Sequence, residues 1–193
     1  MKLLARMQRV WSRVSGWVLL VVVSGVIDQP AVALTLDELR RDPNLTPRRL
    51  AGYFADFSFS FSPRVRSAEV FLATRSGDCD DFAVLAATIL AEKGYTTRVV
   101  YVRMPDQAHA VCYVKETRCY LDFNNRVYLK RTVSTDGSLV DIARKVARSF
   151  DAPWVSVTES IDDGGFGWSL GATTINAAGR LGSKQRQGQP RAK

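Results

Sequence analysis

Histidine is almost missing from this chain of 193 residues: His109 stands alone, and cysteine occurs only as Cys79, Cys112 and Cys119. Any reaction that needs an imidazole must therefore use His109. Long apolar runs are missing too. The stretch from Val18 to Val26 falls well short of the ~20 residues that span a bilayer. The body also lacks a charge imbalance. The formal +8 comes from the ends: Lys2, Arg6, Arg9 and Arg13 against Asp28 at the start, and Arg180, Lys184, Arg186, Arg191 and Lys193 at the close. Taking those nine cations and one acid from totals of 27 and 19 leaves residues 34–179 with 18 of each. A neutral body excludes the basic stripe of a nucleic-acid-binding domain. Finally, neither glutamine nor tryptophan occurs between Leu34 and Asp78.

Residues 1–33 read as a signal peptide. A basic n-region precedes the apolar segment Trp17–Ile27, and Ala31-Val32-Ala33 is a small-residue cleavage pattern. The protein is expected to be exported, to the periplasm or outside the cell, with no membrane span after cleavage. Residues 34–160 form the expected single domain, a sufficient length for its own core. From residue 161 the chain turns rich in glycine, serine and glutamine. Residues 161–193 are therefore expected to be a disordered, Gly-rich basic tail, with Trp168 and Leu170 the only groups suited to local docking.

Within the domain, Thr35-Leu36-Asp37-Glu38 is a capping box, and Thr46-Pro47 opens a second helix to about Phe57. Ser58 to Ser62 alternates as a short strand, and Ser67 to Thr74 reads as a helical turn. Asp80 to Lys93 is apolar on nearly every side, which marks a buried helix, with Gly94 as its stop. Strands follow over Thr97–Met104, Ala108–Lys115, Arg118–Phe123 and Arg126–Arg131. An amphipathic helix begins at Ser138. Helices followed by an antiparallel sheet give an α+β fold.

Gly77-Asp78-Cys79-Asp80-Asp81-Phe82-Ala83 places a thiol at the start of the buried helix. A helix N-terminus and a histidine partner both favour the reactive thiolate. His109 can serve as base to Cys79. Asp122, in Tyr120-Leu121-Asp122-Phe123, can orient that base through its other ring nitrogen. The backbone N–H of Cys79 is a candidate oxyanion donor, with the second donor unassigned. Asp78, Asp80 and Asp81 crowd the thiol with negative charge and read mainly as helix caps or as partners of a core arginine. Acid clustering makes a calcium site conceivable, but without a loop pattern it is weakly supported, and no cofactor is expected.

The hairpin register can be worked out. With Lys115-Glu116 as a two-residue turn, Val114 faces Thr117, His109 faces Asp122, and Cys112 faces Cys119. Side chains alternate along a strand, so the two pairs lie on opposite faces. A turn moved by one residue sets Asp122 opposite Val111, still on the His109 face and within diagonal reach. The first register makes Cys112 and Cys119 a possible disulfide. The alternative is that both are small buried residues, and the sequence leaves the choice open.

These elements, with Gly94-Tyr95, Ala108-His109-Ala110-Val111 and Tyr120-Leu121-Asp122, resemble the transglutaminase-like superfamily, particularly its bacterial cysteine proteinases, over about residues 45–130. The resemblance implies a papain-like core in which a helix carrying Cys79 packs on a sheet carrying His109 and Asp122. It implies acyl transfer from a peptide or glutamine amide through a thioester, with a protein or peptide as substrate. Relatives often place a glutamine or tryptophan upstream of the cysteine as second oxyanion donor. This chain has neither there, so Asn44, Tyr53 or a backbone N–H would have to substitute. The leading expectation is a peptidase or amidase, or a transglutaminase where an amine takes the acyl group, and the alternative is a catalytically weak or inactive binding or assembly module.

Overall fold

The computed structural model describes residues 34–124, 132–162 and 168–178. The expected signal peptide, the strand over Arg126–Arg131 and the end of the tail lie outside these residues. Among the described residues no helix is long and apolar enough to cross a membrane.

The first helix, α1 (Leu36–Arg41), opens on the full Thr35/Glu38 capping box. The second, α2 (Pro47–Tyr53), is capped by Thr46 and starts on Pro47. It stops short of Phe57 because the chain tightens into turns that aim Phe54 and Phe57 inward. The Phe54 N–H bonds Ala51 and the Phe57 N–H bonds Phe54. Strand β1 (Ser58–Phe59) then pairs in parallel with β2 (Ser76–Gly77), across α3 (Ala68–Thr74). Helix α4 (Cys79–Glu92) starts immediately after β2.

A six-stranded antiparallel sheet follows, built from β3 (Thr97–Arg103), β4 (Ala108–Val114), β5 (Cys119–Leu121), β6 (Val133–Ser134), β7 (Ser156–Asp162) and β8 (Trp168–Asn176). Its order is β6-β5-β4-β3-β7-β8. Helix α5 (Leu139–Ser149) lies between β6 and β7 in the chain. Strand alternation divides the interior in two. Val99, Ala110, Cys112, Val114 and Leu121 share one core with α4. Val100, Val102, Val111, Tyr113 and Tyr120 share another with α5. Phe54, Phe57, Phe71, Phe82 and Phe123 meet ring to ring in the first core, with centroids from 4.7 to 6.0 Å apart. Fully burying one such side chain is worth about 1.5–3 kcal/mol.

Two expectations need correction. The β4–β5 turn is not the two-residue one. Val114 pairs with Cys119 and Cys112 with Leu121, across a Lys115–Arg118 loop closed by the Arg118 N–H to the Lys115 carbonyl at 3.2 Å. Two-residue hairpins need positive φ at their first central residue, which suits glycine and asparagine rather than lysine and glutamate. Here the left-handed conformation falls on Arg118, φ 46°. In this register Cys112 and Cys119 are diagonal neighbours. Both thiols are free, and Cys119 Sγ lies 2.9 Å from the Thr117 hydroxyl. The second correction concerns the tail. Residues 168–176 form β8, which pairs with β7 from Ser156↔Asn176 to Asp162↔Trp168, with an irregularity between Glu159 and Ser160. Composition underestimated this segment because an edge strand gains its backbone hydrogen bonds from a neighbour, whatever its side chains.

Candidate active site

The sulfur is placed by the start of α4. Asp78 is the N-cap, and its Oδ1 accepts the N–H groups of Asp80 (3.2 Å) and Asp81 (3.3 Å). Asp81 answers by accepting the Asp78 N–H at 3.1 Å, completing a capping box. Cys79 is thus the first helical residue, half-buried, at the positive end of a 14-residue helix. Its own N–H belongs to the first-turn donors that have no partner inside a helix.

The acids around the thiol have separate fates. Asp78 Oδ2 accepts the Ser62 N–H at 2.8 Å. The Asp81 side chain is fully buried, and Arg66 grips it twice, by its N–H at 2.6 Å and its guanidinium at 2.5 Å. The segment 60–66 is therefore bolted to the helix start. Gly77 leaves room for this, since a Cβ there would meet the Phe71 ring at 2.4 Å and Asp81 Oδ2 at 2.6 Å. Asp80 points elsewhere, with Oδ1 3.5 Å from Cys79 Sγ. The Asp78 and Asp81 oxygens thus accept N–H groups around the helix start. Among the described residues no group of His, Cys, Asp or Glu is arranged to hold a metal.

His109 and Asp122 lie on the α5 side of the sheet, at the start of β4 and just past the end of β5. Nε2 of His109 is 2.8 Å from Asp122 Oδ1, and both groups are buried. The diagonal register brings them together, not the directly opposed one. Phe150 packs edge-on against the ring at 4.9 Å. Cys79 lies near enough to the same ring to act on its charge. Nε2 is engaged by Asp122, which leaves Nδ1 as the ring nitrogen open to another partner. Burial pushes the ring's pKa down, but the Asp122 and Cys79 contacts outweigh it and lift it to about 10.

The sign of that shift fixes a pH dependence. A raised folded pKa contributes stability that is complete below the unfolded value, ~6.5, and is lost as pH climbs toward about 10. Unfolding free energies from urea titrations across this window should fall with pH by at most ~1.4 kcal/mol per unit. The His109→Gln variant should lack that component of the slope.

Of the upstream candidates for a second oxyanion donor, Tyr53 is committed elsewhere: its hydroxyl donates to Asp42 at 2.9 Å. The sequence reading missed Tyr101. This β3 residue is paired with Ala110, half-buried, and close enough to Asp80 and Cys79 for their charges to hold its hydroxyl protonated, after burial. The available signal was the Val99–Tyr101 alternation, which turns the tyrosine toward α4.

A family model described as the transglutaminase-like superfamily matches residues 31–146, more than half the chain. The chain belongs to this superfamily. Among solved structures, calcium-bound LapG of Legionella pneumophila is similar at a TM-score of 0.44, with 19% identity over 69% of this chain and 72% of that one. No curated protein matches. As a transglutaminase-like chain it has the expected mixture of helices and antiparallel sheet, with the cysteine helix against one face.

Proposed function

We propose that the protein is an exported thiol enzyme that transfers acyl groups from peptide or glutamine amides through a Cys79 thioester, with hydrolysis as the main outcome. The observation that carries this reading is the contact of the His109 ring with both Cys79 and Asp122. An imidazolium beside sulfur favours the thiolate. Asp122 fixes the ring's orientation and supports its positive charge.

In the proposed sequence, Cys79 sulfur attacks the carbonyl carbon and the C–S bond forms. The Cys79 N–H steadies the oxyanion. The C–N bond then breaks as His109 gives its proton to the leaving amine. Water attacks the thioester carbonyl as His109 takes its proton, the C–S bond breaks to restore the Cys79 thiolate beside the imidazolium, and the carboxylic acid departs. Tyr101 offers a neutral hydroxyl on the same side of the sheet as the cysteine helix.

The test uses p-nitrophenyl acetate. Attack by Cys79 releases p-nitrophenolate and leaves an acetyl thioester, which mass spectrometry locates on the chain. Acetyl on Cys79 that disappears in Cys79→Ala is the expected result. A native thiol that reacts no faster than a free cysteine peptide would overturn the proposal in favour of a binding module.

A further inference from the structure

Most partly or fully buried acids in this fold carry cations of their own, and the buried N-cap Asp78 is met by three backbone N–H groups instead. Asp42 meets Arg49 at 2.5 Å, Glu159 meets Arg98 at 2.7 Å, and Asp141 meets Lys145 at 2.8 Å. Asp81 has Arg66, and Asp122 has His109. Asp80 breaks the pattern. It is half-buried, yet among the described residues no lysine or arginine pairs with it. Its neighbours are the Cys79 sulfur at 3.5 Å, the like charges of Asp78 and Asp81, and the imidazole already engaged by Asp122. Removal from water, followed by those like charges, raises its pKa, with Cys79 and His109 acting against the rise.

Capping explains part of this. An acid in the first turn of a helix suits the helix dipole. It does not explain a carboxylate turned toward a nucleophile, where it opposes negative charge on sulfur. Once the sulfur is a thiolate, the centre holds three negative groups, Cys79, Asp80 and Asp122, against one imidazolium. A buried charge is normally paired, and an exception in a reaction centre marks a missing partner. Tyr101 packs on the α4 side of the sheet, its hydroxyl within electrostatic range of the same pair of charges, and it makes no hydrogen bond among the described residues. A carboxylate and a free hydroxyl together suit a group that is both cationic and a hydrogen-bond donor.

Resting on Cys79 as nucleophile, we propose that Asp80, with the Tyr101 hydroxyl, is a specificity-determining residue that selects peptides bearing a lysine or arginine side chain next to the amide under attack. The arriving cation neutralises Asp80 and relieves its repulsion of the thiolate. The correct substrate thereby helps to activate the sulfur that attacks it.

The test needs no identified substrate. Cys112 and Cys119 are buried, so a water-borne thiol reagent meets Cys79, with Cys79→Ala as blank. The probes are trimethylammonium-ethyl and sulfonato-ethyl methanethiosulfonate. Each is attacked at sulfur, forms a disulfide with Cys79 and releases methanesulfinate. The cationic-to-anionic rate ratio, normalised to N-acetylcysteine amide, should exceed that of the free thiol by about tenfold at low salt. It should collapse toward that of the free thiol in Asp80→Asn. In the wild-type protein it should shrink as salt rises, a measurement that needs no variant. A normalised ratio near one, or one unchanged in Asp80→Asn, overturns the assignment. So does transfer of acetyl from Cys79 to lysine amide that falls in Asp80→Asn, because the cation would then be the acceptor amine. Neutral iodoacetamide separates the two ideas. If His109→Ala slows its reaction while the charge preference is absent, the nucleophile reading stands and the Asp80 assignment fails. If His109→Ala changes nothing, the nucleophile reading fails.

Discussion

Replacing His109 by alanine should lower the acetylation rate of Cys79 by about 10²–10⁴, the range expected when a positioned acid–base group is lost. The effect should be large because nothing can replace the ring: the chain has no second histidine. The variant should also lose any bell-shaped pH profile that reflects the ring. Asp122→Ala should fall between the variant and the parent, since it frees the ring to turn and removes the 2.8 Å partner of Nε2. Asp122→Asn separates charge from position, keeping a polar neighbour without supporting the imidazolium. Stopped-flow release of p-nitrophenolate checks all three. A His109→Ala rate within threefold of the parent would remove His109 from the chemistry.

The largest stability effect should come from Arg66. Its guanidinium, one-fifth exposed, is the cation for the fully buried Asp81 side chain. Removing one partner of a buried pair costs about 3–5 kcal/mol because the other charge is left in low dielectric. Arg66→Ala should therefore unfold at much lower urea. The Arg66→Ala/Asp81→Asn double variant should regain part of the loss, since the stranded charge is gone. Chemical denaturation of the four proteins forms a double-mutant cycle and yields the coupling directly. If the double variant is no more stable than Arg66→Ala, the pair is not the source of the cost.

Parts of this architecture were legible from local rules. Thr35, Thr46, Ser67 and Ser138 each announced a helix start and each caps one, because an N-cap hydroxyl needs only backbone N–H groups a few residues away. The apolar run from Phe82 to Ala91, interrupted only by Thr88, announced a helix with almost no wet side, and β3, β4 and β5 lie within a residue or two of the strands read from the sequence. What escaped needed distant partners or exact geometry. The hairpin register turned on one left-handed residue, Arg118, which no turn signal singled out. Arg66 was unrecognisable as the counter-ion of Asp81 because 15 positions and a helix separate them. Tyr101 looked like an ordinary strand aromatic until β3 was set beside α4. Strand β8 depended on β7 to exist at all.

The division of the interior into two cores has a consequence for how the proposed centre fails. The sulfur is carried by a helix seated on one side of the sheet, while the imidazole rests against Phe150 on the other. Their alignment thus depends on two separate hydrophobic foundations. A loss of packing in either one moves sulfur and ring apart by fractions of an ångström well before the chain as a whole comes undone. Heat or mild denaturant should silence the thiol chemistry first, while helix and sheet are still intact.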